Sequence, residues 1–354
     1  MSQPLLGRPS RGRWDPLTVG IDIGGTKVLG GVVAEDGRVL ARDRRDTPGR
    51  SAAAVEDVVV EMVAAFARDH DIAAVGIGAA GFVDATRATV LFSPHLAWRD
   101  EPVREAVMSR VGVPVVVDND ANTAALAESR FGAGAGHRFV LCVTLGTGIG
   151  GALVMDHRVY RGANGMAGEF GHMQVVPDGH RCPCGNRGCW EQYASGNALV
   201  RDARELVFTD SPVAHRLREI GGPDARGLTG PLITEAAREG DPLAIELLSD
   251  MGRWFGIGLA NMAAAFDPEC IVVGGGVSEA GELLLAPTRE AFSRQLVGRG
   301  HRAEPSIVAA ALGPDAGFIG AGDMARSAAR RSRRGARLRR DRAARRRRRL
   351  LERD

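Results

Sequence analysis

Residues 164–192 read NGMAGEFGHMQVVPDGHRCPCGNRGCWEQ, and this stretch carries the most specific pattern of the chain. Three of the five cysteines, Cys182, Cys184 and Cys189, are spaced as C-x-C-x4-C and follow His172. Three thiolates and one imidazole are a ligand set for tetrahedral Zn²⁺. Because four protein ligands leave no open position for water, we predict a structural zinc knuckle.

Two alternatives remain open for this stretch. Clustered cysteines can also form a disulfide with one spare thiol, but the chain shows no secretory signal, and such clusters in cytosolic proteins more often bind metal. His180 lies closer to the cysteines than His172 and could serve instead as the fourth ligand. In either case the knuckle would hold Glu169 and Glu191, which flank the ligands, in fixed positions.

The length and composition of the chain favour a large, water-soluble protein. A chain of 354 residues with 44% apolar content is long enough for two domains of ordinary size. Residues 1–16 contain arginines but no apolar run, and no later segment approaches the length of a membrane span. We therefore expect a cytoplasmic protein that has no membrane partner.

The positive charge of the chain is concentrated at its end. Residues 327–354 hold 14 arginines and three acidic residues, so the rest of the chain has an excess of acidic residues. Such a segment could bind polyanions weakly, without specificity. Because it lacks Val, Ile and aromatic residues, it cannot build a core. We predict a disordered leader at 1–16 and a disordered tail at 327–354.

The order strand, glycine turn, strand and hairpin occurs twice, first around residues 22–27 and again around 146–151. Such a duplication is what two similar halves around a shared cleft would need. We predict a small α/β domain at 17–118, completed by about 306–326, and a larger α/β domain at 119–305 that carries the zinc site.

Both glycine turns have the chemistry of phosphate sites. The first presents successive backbone N–H groups beside Thr26 and Lys27, and Lys27 is the only lysine of the chain. A plain hairpin with a surface lysine is the alternative, and the spacing of a Walker A loop is absent. In the second turn, Gly146 lies beside Thr144 and Thr147 and indicates a second phosphate-binding turn.

Residues 76–81 and 146–151 both match G-x-G-x-x-G, but neither predicts a dinucleotide site. The first is not followed by a clear helix and the second runs into another strand, whereas the fingerprint requires strand, turn and helix. A third glycine run, 274–276, ends an apolar strand and precedes a helix. It could let a flat nucleotide base approach the backbone closely.

Asp120 follows a buried strand and precedes an alanine-rich helix. A carboxylate in this position can be partly desolvated and face a cleft. The alternative is an ordinary helix cap, for which Asp118, Asn119 and Asp120 are all suitable.

Six segments together resemble the ROK family, which groups bacterial sugar kinases with related repressors. They are DIGGTK at 22–27, DNDAN at 118–122, TLGTGIGG at 144–151, EFGH at 169–172, CPCGNRGCWE at 182–191 and VGGG at 273–276. The resemblance covers roughly residues 17–326. It implies an actin-like ATPase fold of ribonuclease H type, with two α/β domains around a cleft, and ATP-dependent phosphorylation of glucose on its 6-hydroxyl.

The resemblance also implies a role for each site residue. Asp120 matches the catalytic base, and His172 would give one ring nitrogen to zinc and turn the other toward the sugar. Mg²⁺ would lie near Asp22. The positions that match sugar-binding residues are Asn119, Asp120, Glu169, His172 and Glu191, with Gly81 and Gly165 shaping the pocket. The positions expected to hold ATP are Asp22, Gly24, Gly25, Thr26, Lys27, Thr144, Gly146, Thr147, Gly148, Gly274, Gly275 and Gly276.

Other readings of the same fold remain. The hexose could be N-acetylmannosamine, N-acetylglucosamine, fructose or allose, and polyphosphate could replace ATP. A sugar-responsive repressor would need a helix-turn-helix module ahead of the first strand, where we expect only about sixteen residues, so specific nucleic-acid binding is not expected. The family resemblance favours a homodimer or homotetramer.

Overall fold

The computed structural model describes residues 15–48, 51–94 and 96–351, with side chains as far as residue 334. Its strands build two five-stranded sheets and one small three-stranded sheet. In chain order the strands are β1 (Leu17–Ile23), β2 (Lys27–Val33), β3 (Val39–Asp46), β4 (Ile72–Ala79), β5 (Phe82–Val83), β6 (Val90–Phe92), β7 (Arg99–Glu101), β8 (Val115–Asn119), β9 (Phe139–Leu145), β10 (Ile149–Met155), β11 (Arg158–Tyr160), β12 (Cys270–Gly274) and β13 (Ser306–Ala309).

Several helices begin at polar caps. Ser51, Ser195 and Asp241 each accept a backbone N–H of the first turn that follows, as N-cap residues do. The helices are α1 (Ala52–Phe66), α2 (Val103–Val111), α3 (Asp120–Phe131), α4 (Glu191–Ala194), α5 (Gly196–Phe208), α6 (His215–Gly221), α7 (Gly230–Arg238), α8 (Pro242–Phe266), α9 (Glu282–Gln295) and α10 (Ala316–Leu351).

The two large sheets have the same topology. The first sheet has the order β3-β2-β1-β4-β8 and the second has the order β11-β10-β9-β12-β13. In each sheet the first three strands in the chain are antiparallel neighbours, and the last two run parallel to the first. The predicted duplication and the actin-like fold are therefore confirmed. We call the residues around the first sheet the first half and those around the second sheet the second half.

Each half has its own hydrophobic core. The core of the first half lies between its sheet and the helices α1 and α2, and includes Ile21, Ile77 and Trp98. The core of the second half is larger and includes Trp190, which stacks on Phe255 of α8 with ring centroids 5.2 Å apart. The aromatic pair anchors the end of the segment 164–192 in this core.

The helices α3 and α10 pack against each other and connect the halves. α3 contacts the second sheet through β9 and β10, whereas α10 covers the first sheet along β1 and β4. α10 lies so close that a methyl group on Gly20 or Gly76 would overlap its backbone carbonyls, and one on Gly320 would overlap the carbonyl of Thr123. Glycine is needed at these positions because backbone lies directly against backbone.

The chain returns to the first half later than predicted. Residues 306–309 form β13, which pairs with β12 at the edge of the second sheet, so only α10 completes the first half. α10 also differs from the predicted disordered tail: Ala329 is buried beside Ala74 and Ala325, and the helix continues to Leu351. Alanine and arginine are strong helix formers, which explains the difference.

The predicted leader falls almost entirely outside the described residues, which begin at Asp15. Asp15 lies 3.5 Å from the buried guanidinium of Arg326 in α10. Among the described residues, every helix is either too short or too polar to cross a lipid bilayer.

Candidate active site

A cleft of about 840 Å³ opens between the two halves. Its wall is formed by the β1–β2 and β9–β10 hairpins, the start of α3, the segment 165–172 and the start of α10. Most of the predicted site residues line it: Asp22, Lys27, Gly81, Asn119, Asp120, Thr144, Gly146, Thr147, Gly148, Gly165, Glu169, His172, Glu191 and Gly275. The predicted nucleotide residues Gly24, Gly25, Thr26, Gly274 and Gly276 are not among the lining residues.

Asp120 is held by the polar groups around the start of α3. Asn119 caps this helix by accepting the N–H of Asn122, so Asp120 is the first helical residue and its side chain lines the cleft. The side-chain amide of Asn119 donates to Asp120 Oδ1 at 2.9 Å and to the carbonyl of Gly81 at 3.1 Å. The backbone N–H of Ala121 donates to the same Oδ1 at 3.0 Å. One carboxylate oxygen is thus fixed by two donors.

The four predicted metal ligands are brought together. The ligand atoms of His172, Cys182, Cys184 and Cys189 all lie within 4.8 Å of one another. The distance from Cys184 Sγ to Cys189 Sγ is 3.7 Å, and that from Cys182 Sγ to His172 Nδ1 is 3.6 Å. A tetrahedron with the usual zinc bond lengths would have edges of about 3.8 Å and about 3.6 Å for these pairs. The donor set therefore fits Zn²⁺ in kind and in spacing.

The structure distinguishes the two candidate histidines. Nδ1 of His172 faces the cysteines and lies 3.6 Å from Glu191, while Nε2 lies 3.9 Å from Glu169 at the cleft. His180 is exposed and packs its ring on Tyr193 at 5.2 Å instead of joining the cluster. His172 is therefore the residue placed between the metal cluster and the cleft.

The end of the cleft beside this cluster is acidic. Asp120, Glu169 and Glu191 all line it. Burial is the main cause that raises the pKa of the Glu169 carboxyl; His172 opposes the rise, and the charges of Asp120 and Glu191 add to it. Ionised carboxylates only accept hydrogen bonds and repel anions. This end suits a neutral ligand with several hydroxyl donors, such as a sugar.

Asp22, near the end of β1, also lines the cleft. Burial, together with the nearby charge of Asp120, raises the pKa of Asp22 to about 7, although Lys27 opposes the rise. Gly317, at the start of α10, leaves room for this carboxylate because any side chain there would overlap it. A desolvated carboxylate with too little positive charge around it is suited to hold a cation such as Mg²⁺.

The two glycine turns are true hairpins. In the β1–β2 turn the Gly24 N–H donates to the carbonyl of Lys27 at 3.0 Å, and in the β9–β10 turn Gly146 donates to Gly148 at 3.0 Å. Both connect antiparallel strands, so the second G-x-G-x-x-G match is not part of a dinucleotide fold, as predicted. A methyl group on Gly148 would lie 2.6 Å from Glu191 Oε2, so this turn touches the acidic end directly.

Several cleft residues were not predicted. Gly313, Pro314 and Gly317 line the cleft at the start of α10, next to Asp22. Ser195 and Asn197 line it beside the β9–β10 turn, where the N–H of Asn197 donates to the carbonyl of Thr147 at 3.3 Å. The glycine–proline pair before a helix was a local signal, but nothing in the sequence shows that α10 returns to β1.

Residues 18–328 match the ROK family, and the chain belongs to this family. A glucokinase from Streptomyces coelicolor is 48% identical over 310 residues, which cover 88% of this chain and 98% of that protein. A glucokinase from Thermotoga maritima is 35% identical, over 86% of this chain and 96% of its own length.

Solved structures agree with this assignment. A ROK family glucokinase from Streptomyces griseus in complex with glucose and AMPPNP is 51% identical with a TM-score of 0.78; the match covers 88% of this chain and 99% of that one. A ROK hexokinase from Thermus thermophilus is 36% identical with a TM-score of 0.75, over 87% and 97% of the two chains.

Proposed function

We propose that this ROK protein is a glucokinase, which transfers the γ-phosphoryl group of ATP to the 6-hydroxyl of glucose. The observation that carries the proposal is that one cleft combines two kinds of groups. Asp120, Glu169 and Glu191 offer acceptors for sugar hydroxyls, and residues of the two glycine hairpins and Asp22 line the same cleft. The Streptomyces griseus relative, solved with glucose and AMPPNP, supports the same pair of substrates.

Asp120 is the proposed general base. As the 6-hydroxyl oxygen attacks the γ-phosphorus, its proton passes to the Asp120 carboxylate, the bond to the β–γ bridging oxygen breaks, and ADP leaves. Asn119 and the N–H of Ala121 donate to Oδ1 and fix the orientation of this carboxylate, whose residue lines the cleft. Phosphoryl transfer needs positioning and charge neutralisation more than covalent help, so one aspartate and two hairpins suffice.

Two metal ions belong to the proposal. Zn²⁺ held by His172, Cys182, Cys184 and Cys189 would be structural and would orient His172 beside the sugar. Mg²⁺ near Asp22 would neutralise phosphate charge. The hairpin residues that line the cleft, Lys27 and 146–148, together with Gly275 would hold the nucleotide.

A coupled assay with Mg-ATP and a panel of hexoses tests the proposal. We expect glucose to be preferred, and Asp120→Asn to lower kcat by about 100-fold to 10,000-fold, the usual effect of losing a positioned base. Zinc content and Tm should equal those of the parent. Preferred turnover of N-acetylmannosamine, N-acetylglucosamine, fructose or allose would reassign the substrate, and a panel without any turnover would contradict the kinase activity.

The second part of the proposal concerns the location of the enzyme, its oligomeric state and its phosphoryl donor. We infer a cytoplasmic homodimer or homotetramer that uses ATP in preference to polyphosphate, and an arginine-rich tail that binds polyanions only weakly. Light scattering and a donor comparison with inorganic polyphosphate test the first two points. Regulator relatives exist in the family: a xylose repressor from Bacillus subtilis is 28% identical over 86% of this chain and 75% of its own length.

A further inference from the structure

Asp118 lies one position before Asn119 and is the most enclosed carboxylate near the cleft. Its side chain is 3% exposed. Oδ1 accepts the backbone N–H of Asn119 at 2.9 Å and the side-chain amide of Asn122 at 2.9 Å. These two donors belong to the cap and first turn of α3, where Asp120 lies. The orientation of Asp118 therefore sets the orientation of the proposed base.

The other oxygen of Asp118 binds an arginine of the second half. Arg161 donates to Oδ2 from Nε at 2.8 Å, and its Nη2 lies 2.6 Å from the same oxygen. Its third nitrogen, Nη1, donates to the carbonyl of Val159 at 3.1 Å. A guanidinium held by its planar fork fixes direction as well as distance, which a lysine cannot do.

Arg161 also begins the segment that carries the sugar-side residues. Its carbonyl accepts the N–H of Ala167 at 3.1 Å, which closes the loop 161–167 immediately before Glu169. Within this loop Gly165 has a φ of +83°, and a methyl group on it would lie 2.5 Å from the carbonyl of Val83 in the first half. The loop therefore rests on the first half at Gly165 and is bonded to it at Arg161.

We propose that Arg161 and Asp118 form a positioning bridge that sets the proposed base, Asp120, against the sugar-binding segment 165–172 of the opposite half. Neither residue lines the cleft. The bridge acts through the loop on one side and the α3 cap on the other. A displacement of about 1 Å between reacting groups can lower a rate about 100-fold.

Arg87 provides a matched control. It approaches the same oxygen, with Nε 3.3 Å from Asp118 Oδ2, and its side chain is 24% exposed against 23% for Arg161. It comes from the first half, after β5, so it does not connect the halves. Among the described residues, its Nε and Nη2 have no hydrogen-bond partner of good geometry. Arg87 therefore supplies charge to Asp118 without the hydrogen bond that Arg161 Nε makes.

The experiment compares Arg161→Lys with Arg87→Lys in the full chain. We expect Arg161→Lys to lower kcat about 10-fold to 100-fold and raise KM for glucose, with KM for ATP within about twofold of the parent. Arg87→Lys should lower kcat less than about threefold. If both substitutions lower kcat equally, the connection between the halves through Arg161 has no special role, and the bridge is refuted. If neither lowers kcat, Asp118 needs only positive charge, which also refutes the bridge. If Arg161→Lys does not fold, Arg161→Gln is tested by the same criteria.

The kinetic measurements rest on the proposed function, so a second measurement is independent of it. Hydrogen exchange of the apo protein should be faster in both 162–169 and 119–123 in Arg161→Lys, and only around 84–89 in Arg87→Lys. Unchanged exchange at 119–123 in Arg161→Lys would overturn the inference even in an active enzyme. If the unsubstituted protein leaves glucose unchanged, the proposed function is refuted. The hydrogen-exchange measurement would still test the bridge.

Discussion

The two halves share one sheet topology but differ in what they insert into it. In the first half, the connection between the third and fourth strands of the sheet, β3 and β4, holds only α1. In the second half, the corresponding connection between β11 and β12 holds the four predicted metal ligands and five helices, α4 to α8. Both halves keep a glycine hairpin at the cleft. The repeated parts thus offer similar phosphate chemistry, and the insertion adds the groups suited to a sugar.

Removal of a predicted zinc ligand in the insertion should have the largest effect on turnover of glucose. We expect Cys189→Ser to lose bound zinc and to lower kcat/KM for glucose by about 100-fold or more, because His172 and Glu191 lose their support. The measurement is zinc per chain together with turnover. Cys270→Ser is the control, since Cys270 is also buried but lies in β12, outside the cluster. Full activity in a zinc-free Cys189→Ser protein would contradict the structural role of the metal.

A single methyl group should show where the repeated hairpin meets the insertion. Gly148→Ala would place a methyl group against Glu191, whereas Gly146→Ala in the same turn meets nothing within 4 Å. We expect Gly148→Ala to raise KM for glucose about tenfold and Gly146→Ala to change it less than about twofold. Initial rates over a range of glucose concentrations measure both. Equal KM values in the two variants would show that the turn and Glu191 act independently.

The third prediction concerns the folding stability of the protein and how it depends on Asp22, near the end of β1. Burial raises the pKa of Asp22 to about 7, against about 4 in an unfolded chain. Between these values the folded protein binds more protons than the unfolded chain, so the stability of the parent falls as pH rises through this window. Asp22→Asn should therefore raise the free energy of unfolding at pH 8 by about 4 kcal/mol, and by less at pH 5.

Urea unfolding at both pH values measures this difference. An equal effect at pH 5 and pH 8 would contradict the raised pKa of Asp22. The same substitution should abolish turnover if Asp22 holds Mg²⁺, which would separate its cost to stability from its use in the reaction.

Local patterns were sufficient to predict much of the site. The cysteine spacing, the two hairpins and the start of α3 each depend on residues close together in the chain, and the structure confirms their geometry. The contacts that could not be predicted join distant segments. Asp118 with Arg161, and Asp22 with Gly317, come together only after both halves have folded, and neither pair has a spacing that local periodicity could reveal.

The extension of α10 beyond the predicted boundary was missed for the same reason, because it depends on contacts with distant segments. The predictions divided the chain by composition, and an arginine-rich segment without Val, Ile and aromatic residues suggests a solvated tail from residue 327 onward. Arg326, one position before this boundary, is almost completely buried and donates to the carbonyls of Val33 and Ala34 at 2.9 Å and 2.7 Å. A buried arginine that satisfies backbone carbonyls cannot be distinguished by composition from one on the surface.

The position of α10 has a consequence for how the protein is made. The face of β1 and β4 that α10 covers is synthesised before its cover, which follows β1 by about 300 residues. At roughly 5–20 residues per second, that sheet face would wait about 15–60 s on the ribosome. Its folding therefore depends on contacts between segments far apart in the chain, which form slowly. The first half is completed only when α10 has emerged.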